Sequence, residues 1–167
     1  FPDQEPAAYA VAMRAHAILK PDISVCGNDL VNCTPFSGWP VRSFEELREI
    51  DWFEHELKPA LKHIDIVQKN TKEKTYFLPG NHDDWIERWA VSAGRAGASV
   101  YRMLSLRLNL SRGRKNFIYV QNKHIKLHRN LCVVHGWSIC KNAAAKHLDL
   151  ARSKTIIFHH THRMQVD

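Results

Sequence analysis

Cysteine is scarce: Cys26, Cys33, Cys132 and Cys140 are the only four in 167 residues, and no two are spaced as C-x-x-C. A chain this long needs no covalent staples, so the thiols are expected to be reduced and the compartment cytoplasmic. Glycine and proline number seven each and follow no period, which excludes collagen and low-complexity linkers. No window approaches the ~18–20 consecutive apolar residues of a membrane span. Asp3 and Glu5 stand where a signal peptide would be basic and then apolar. Methionine is missing from position 1, so a fragment or processed product is expected. Acidic residues are outnumbered, 17 against 24 Lys and Arg, and the formal charge of +7 favours anionic partners such as phosphate esters or nucleic acid.

What is present suits a packed core. Hydrophobic residues make up 44% of the chain and charged ones 25%, far from the composition of a disordered tail. At 167 residues one domain spanning 1–167 is expected, with no internal repeat and no linker long enough for a second. Residues 6–20 (PAAYAVAMRAHAILK) are Ala-rich with apolar side chains at helical spacing, Pro6 in the first turn and Pro21 as the stop. Residues 22–26 (DISVC) predict a buried strand that empties into Gly27-Asn28-Asp29. Residues 32–42 are expected to be irregular. Ser43 with Glu46 forms a capping box for a long helix that Pro59 kinks or divides.

The unit of strand, polar loop and helix then recurs. Residues 75–78 (TYFL) predict a strand, Pro79-Gly80-Asn81-His82-Asp83 a turn, and a helix begins near Asp84. Residues 94–114 read as helix interrupted at Gly97. Residues 116–127 alternate around Gln121-Asn122-Lys123 and predict an antiparallel hairpin. A third strand, 132–134, ends at His135-Gly136. A helix over 141–151 leads to a fourth strand, 155–158, which ends at His159-His160-Thr161-His162.

Candidate ligands therefore stand at the C-terminal ends of four short strands: Asp29, then Asn81, His82 and Asp83, then His135, then His160 and His162. Any one group is a weak signal, since a Gly-Asn-His-Asp turn often serves as a helix cap. His side chains at i and i+2 of an extended segment do point to one side and converge on metal. Together the groups supply the mixed oxygen and nitrogen ligands that suit Mn, Fe, Zn or Mg in a phosphoryl-transfer site.

This spaced set resembles that of the calcineurin-like metallophosphoesterases, whose motifs run D-x-H, G-D-x-x-D/N, G-N-H-D/E, H and G-H-x-H. Gly27 to Asn32 resembles the second motif with Asn28 before the Asp. Gly80-Asn81-His82-Asp83 matches the third, His135-Gly136 the fourth, and His159 replaces the Gly of the fifth. Pro35-Phe36-Ser37 and Lys141-Asn142-Ala143-Ala144 are similar to small phage-type members.

The resemblance implies an α/β fold, a two-sheet β-sandwich flanked by helices with the site at one rim. It implies two divalent ions, Mn favoured, and hydrolysis of phosphate mono- or diesters, DNA or RNA among them, by a hydroxide that both ions activate. Asp29 would bridge the ions, Asn81, His135 and His160 would complete one, and His162 would bind the other. His82 would be the general acid with Asp83 hydrogen-bonded behind it, and Arg163 would bind substrate. The first motif is absent, and the residues preceding Phe1 are expected to read Asp-x-His. A non-catalytic module on the same scaffold, binding metal or nucleic acid, is the alternative. No membrane and no obligate protein partner are expected.

Two further features have plainer readings. Arg107, Arg112, Arg114, Lys115, Lys123, Lys126, His128 and Arg129 form a basic zone, interleaved with Phe117 and Tyr119, that reads as a solvated face or a nucleic-acid contact. Trp85 and Trp89, four apart, predict one inward face on the helix after the GNHD turn.

Overall fold

The computed structural model describes residues 5–27, 29–37, 43, 45, 51–136, 142–151 and 155–158, with backbone alone at 150 and 151. Within them the fold is mixed α/β, with two three-stranded sheets and flanking helices.

Helix α1 (Pro6–Leu19) starts with Pro6 in its first turn, where the missing N–H costs nothing, and the Glu5 carboxylate accepts from Ala8 N–H. It ends at Lys20, which takes a left-handed conformation (φ 44°) and turns the chain. Strand β1 (Ile23–Cys26) follows, as expected from its β-branched run. Trp52–Leu57 forms one π-helical turn that passes into α2 (Lys58–Asn70). Pro59 does not divide this helix: Leu57 and Lys58 are both right-handed helical, and only the bonding changes register just ahead of the ring that offers no N–H. The expected Ser43–Glu46 capping box lies largely outside the described residues.

Strand β2 (Lys74–Phe77) pairs parallel with β1, Cys26 opposite Phe77. The helix after the GNHD turn is α3 (Trp85–Ser92), followed by α4 (Gly94–Leu104) and α5 (Leu106–Ser111). Gly97 does not interrupt them as expected. It is buried inside α4, where a Cβ would run into the Ala90 backbone, so it serves close packing of α4 on α3. The break falls instead at Ser105, whose hydroxyl caps Leu108 N–H.

The expected hairpin over 116–127 is also corrected. Strand β3 (Phe117–Tyr119) pairs parallel with β2, and β4 (His124–His128) pairs antiparallel with β5 (Leu131–Val134). The turn at 121–123 therefore carries the chain from one sheet to the other, and the hairpin closes across Arg129–Asn130. Burial decides this: Tyr119 packs on Phe77 of the first sheet (ring centroids 5.4 Å apart), a contact that a local hairpin would forfeit. After α6 (Ala143–Ala151), β6 (Thr155–Phe158) pairs parallel with β5, Phe158 opposite Val134.

Ile64, Phe77, Ile86, Leu106 and Leu110 are fully buried and join the first sheet to α2, α3 and α5. Cys26, Cys33 and Cys132 are free thiols, and Cys140 lies outside the described residues. No helix among the described residues is long and apolar enough to cross a membrane.

Helix α1 docks through polar contacts. Tyr9 Oη lies 3.2 Å from His63 Nδ1, and His16 Nε2 lies 2.8 Å from Ser24 Oγ, itself 2.6 Å from Thr71 Oγ1. Burial, with the charge of His16 beside it, lowers the His63 pKa from its ordinary 6.5 to about 4. Between those values the unfolded chain binds a proton that the folded one refuses, so stability falls as pH drops through the window. His63→Phe is expected to flatten that fall, measured as urea midpoints across the window. An unchanged pH slope would show that His63 is not its source.

Candidate metal centre

Parallel pairing sends the chain out of β1 and β2 at the same rim, and out of β5 and β6 at a common edge. The loop after β1 carries Asp29, the loop after β2 carries Gly80 to Asp83, and β5 delivers His135. His135 reaches across: its Nδ1 lies 3.2 Å from the Gly27 carbonyl, and its Nε2 lies 3.3 Å from Asn81 Oδ1 and 3.7 Å from Asp29 Oδ2. Three residues far apart in sequence thus meet at one point.

The protonation of His135 follows from its partners. A carbonyl oxygen only accepts, so the bond to Gly27 requires the hydrogen on Nδ1. Nε2 then faces Asn81 Oδ1 and Asp29 Oδ2, two oxygen acceptors that a proton on Nε2 or a bound cation would satisfy. Ligands bound at about 2.0–2.2 Å sit roughly 3.0–3.5 Å from each other around a metal: the 3.3 Å separation falls within that range and the 3.7 Å one just beyond it. A backbone carbonyl on the second ring nitrogen is also the usual way to orient a metal-bound imidazole.

Asp29 is held in place twice. Its Oδ1 accepts from His82 N–H at 2.9 Å, and Gly80 lies so close that a Cβ there would collide with the carboxylate. Asp83 departs from expectation. Its carboxylate does not sit behind the His82 ring; it accepts from the backbone N–H groups of Gly80 (2.8 Å), Leu30 (3.2 Å) and Val31 (3.3 Å). One buried side chain thereby fastens the β2 loop to the β1 loop. Burial pushes the Asp83 carboxyl up to about 8, the Gly80 N–H opposes the rise, and the Asp29 charge adds to it.

His82 stacks instead on Trp85, with centroids 4.4 Å apart and planes at 26°. Its Nδ1 is buried and has no hydrogen-bond partner among the described residues. Trp85 packs against the core and Trp89 touches Phe36 (5.4 Å), so the inward face expected for this helix is present.

Sequence reasoning passed over Glu56 and placed Lys123 only in the basic zone and its turn. Glu56 is buried and accepts from Cys33 N–H (2.6 Å) and Thr34 N–H (2.9 Å), fixing the far end of the segment that bears Asp29. Its signal was a carboxylate on the apolar stripe of WFEHEL. Lys123 donates to the Gly80 carbonyl (3.0 Å) and pairs with Asp84 (2.5 Å), bracing the outer side of the same loop. Arg114, placed in the basic zone, is a clamp: it bonds Asp65 and the carbonyls of Asn109 and Leu110, and its side chain is only 12% exposed.

His160, His162 and Arg163 lie outside the described residues. Among the described ones, no three His, Cys, Asp or Glu side chains gather as a metal cage, since the third donor here is an Asn. Comparison of the chain with family models, with curated proteins and with solved structures returned no match.

Proposed function

We propose that this chain is a metal-dependent phosphoesterase of the calcineurin-like kind, with its two sheets stacked as a sandwich and the site at their rim. The convergence of Asp29, Asn81 and His135 from three separate loops on one point carries this reading. Divalent cations, Mn favoured, would be held by Asp29, Asn81 and His135 together with His160 and His162. When bound they supply positive charge that polarises a phosphoryl group and acidifies water. The chain's own residues do the rest. Asp83 and Gly80 hold Asp29 in register, the Gly27 carbonyl fixes the His135 tautomer, and His82 gives a proton to the departing oxygen. Arg163 contacts the phosphate ester.

Among the described residues β1 pairs with a strand on one side only, which supports the expected Asp-x-His ahead of Phe1. A groove of about 510 Å³ runs along Ile23, Val25 and Cys26 and reaches Asp29, room in which one more parallel strand would end beside the carboxylate. The test is hydrolysis of bis-p-nitrophenyl phosphate by a version extended upstream, with Mn added. Mn-dependent turnover that chelator abolishes is expected. No rate above that of Mn alone would overturn the enzyme reading and leave a metal- or nucleic-acid-binding module.

A further inference from the structure

A second pocket, of about 300 Å³, lies on the other side of the GNHD loop from the candidate centre. Pro79, Asp84, Arg88, Arg107, Tyr119 and Lys123 line it. Asp83 turns inward to the loop amides, while its neighbour Asp84 turns outward to Lys123, whose ammonium also holds the Gly80 carbonyl.

The charges in this pocket are unevenly spent. Lys123 and Asp84 neutralise each other, while Glu87, which also lines the pocket, accepts from the Tyr101 hydroxyl at 2.7 Å and keeps its charge, so the two guanidinium groups leave the pocket one positive charge in excess. Arg107 lies over the Tyr119 ring at 5.9 Å and, with the Gln121 amide turned to satisfy both groups, donates to Gln121. Neither Arg107 nor Arg88 is ion-paired with a carboxylate among the described residues. A guanidinium has five N–H donors, so Arg107 keeps several for a ligand. Two guanidinium groups and an aromatic wall, beside a candidate phosphoryl site in a chain of charge +7, match a phosphate with a base attached.

We infer that this pocket is the subsite for the nucleotide next to the scissile phosphate, which makes the substrate a single nucleic-acid strand. Arg107 and Arg88 take the flanking phosphate, Tyr119 supports Arg107 from beneath, and the nucleoside lies along the rest of the pocket. The inference deepens the phosphoesterase reading and rests on it for the word scissile, but its binding part is measurable alone.

The experiment is fluorescence anisotropy of a labelled single-stranded oligodeoxynucleotide with chelator present, so that no strand is cut. Arg107→Ala is expected to weaken binding about tenfold and to lower the log–log salt slope by about one. Arg88→Ala, at an exposed position of α3 where refolding is not at risk, should act in the same direction. Lys62→Ala, exposed on α2, is the control for charge alone. Wild-type binding by both Arg variants would overturn the subsite, as would a loss equal to that in the Lys62 variant. Displacement by polyglutamate as readily as by unlabelled strand would also overturn it. Failure of the two claims is separable. Arg107-dependent binding without bis-p-nitrophenyl phosphate hydrolysis defeats only the enzyme reading, and hydrolysis with Arg-independent binding defeats only the subsite.

Discussion

Gly80→Ala is expected to lower Mn affinity about 10–100-fold, the loss usual when support behind a ligand is removed. It should also destabilise the fold by about 1–3 kcal/mol, as overpacking does. The added Cβ falls on the Asp29 carboxylate and close to its backbone N, so the side chain has to give way. Asp29 must swing away, Oδ1 then leaves the His82 N–H, and Oδ2 leaves the point it shares with Asn81 and His135. Gly113→Ala is the matched comparison. Gly113 has φ +70° and open space around it, so the strain costs about 1 kcal/mol and touches no ligand. Isothermal titration with Mn, beside urea unfolding, separates the two. Equal Mn affinity in Gly80→Ala and wild type would show that Asp29 is not a ligand.

His82→Asn is expected to lower kcat about 10²–10⁴-fold while Mn affinity stays near wild type, the pattern of a lost proton donor. The ring is placed for such a role. Trp85 stacks on one face, its backbone N–H fixes Asp29, and its buried Nδ1 is left without a partner among the described residues. An unsatisfied buried polar atom costs about 1–3 kcal/mol, so its retention beside the centre needs a functional reason. Asn preserves the backbone donor and a polar side chain but has no ionisable proton to give. Undiminished hydrolysis in the Mn-loaded variant would remove His82 from the mechanism.

The strand ends were legible because two local signals coincide there: a β-branched run that must be buried, and a Gly-bearing polar loop that must not. That is why Ile23–Cys26, Lys74–Phe77, Leu131–Val134 and Thr155–Phe158 fall within a residue or two of expectation. Pairing was not legible around Gln121-Asn122-Lys123. Alternation says only that two strands flank a turn, and whether they pair with each other depends on where Phe117 and Tyr119 find a core. Gly97 misled for a related reason, since a helix glycine marks a break or a close approach, and only the position of α3 decides.

At the candidate site the donors were legible by type, but Asp83 was not legible by role. A carboxylate in a turn bonds whichever donors burial leaves orphaned, and here these are the amides of two loops 53 residues apart in sequence. Glu56 escaped for the same reason: its partners, Cys33 and Thr34, come from an irregular segment whose path no periodicity foretells.

Anomalous diffraction from crystals grown with Mn tests the central claim most directly. A peak is predicted about 2.0–2.6 Å from Asp29 Oδ2, Asn81 Oδ1 and His135 Nε2 together. Ordered side chains at that point with no anomalous signal between them, or Mn seated only elsewhere on the surface, would contradict it.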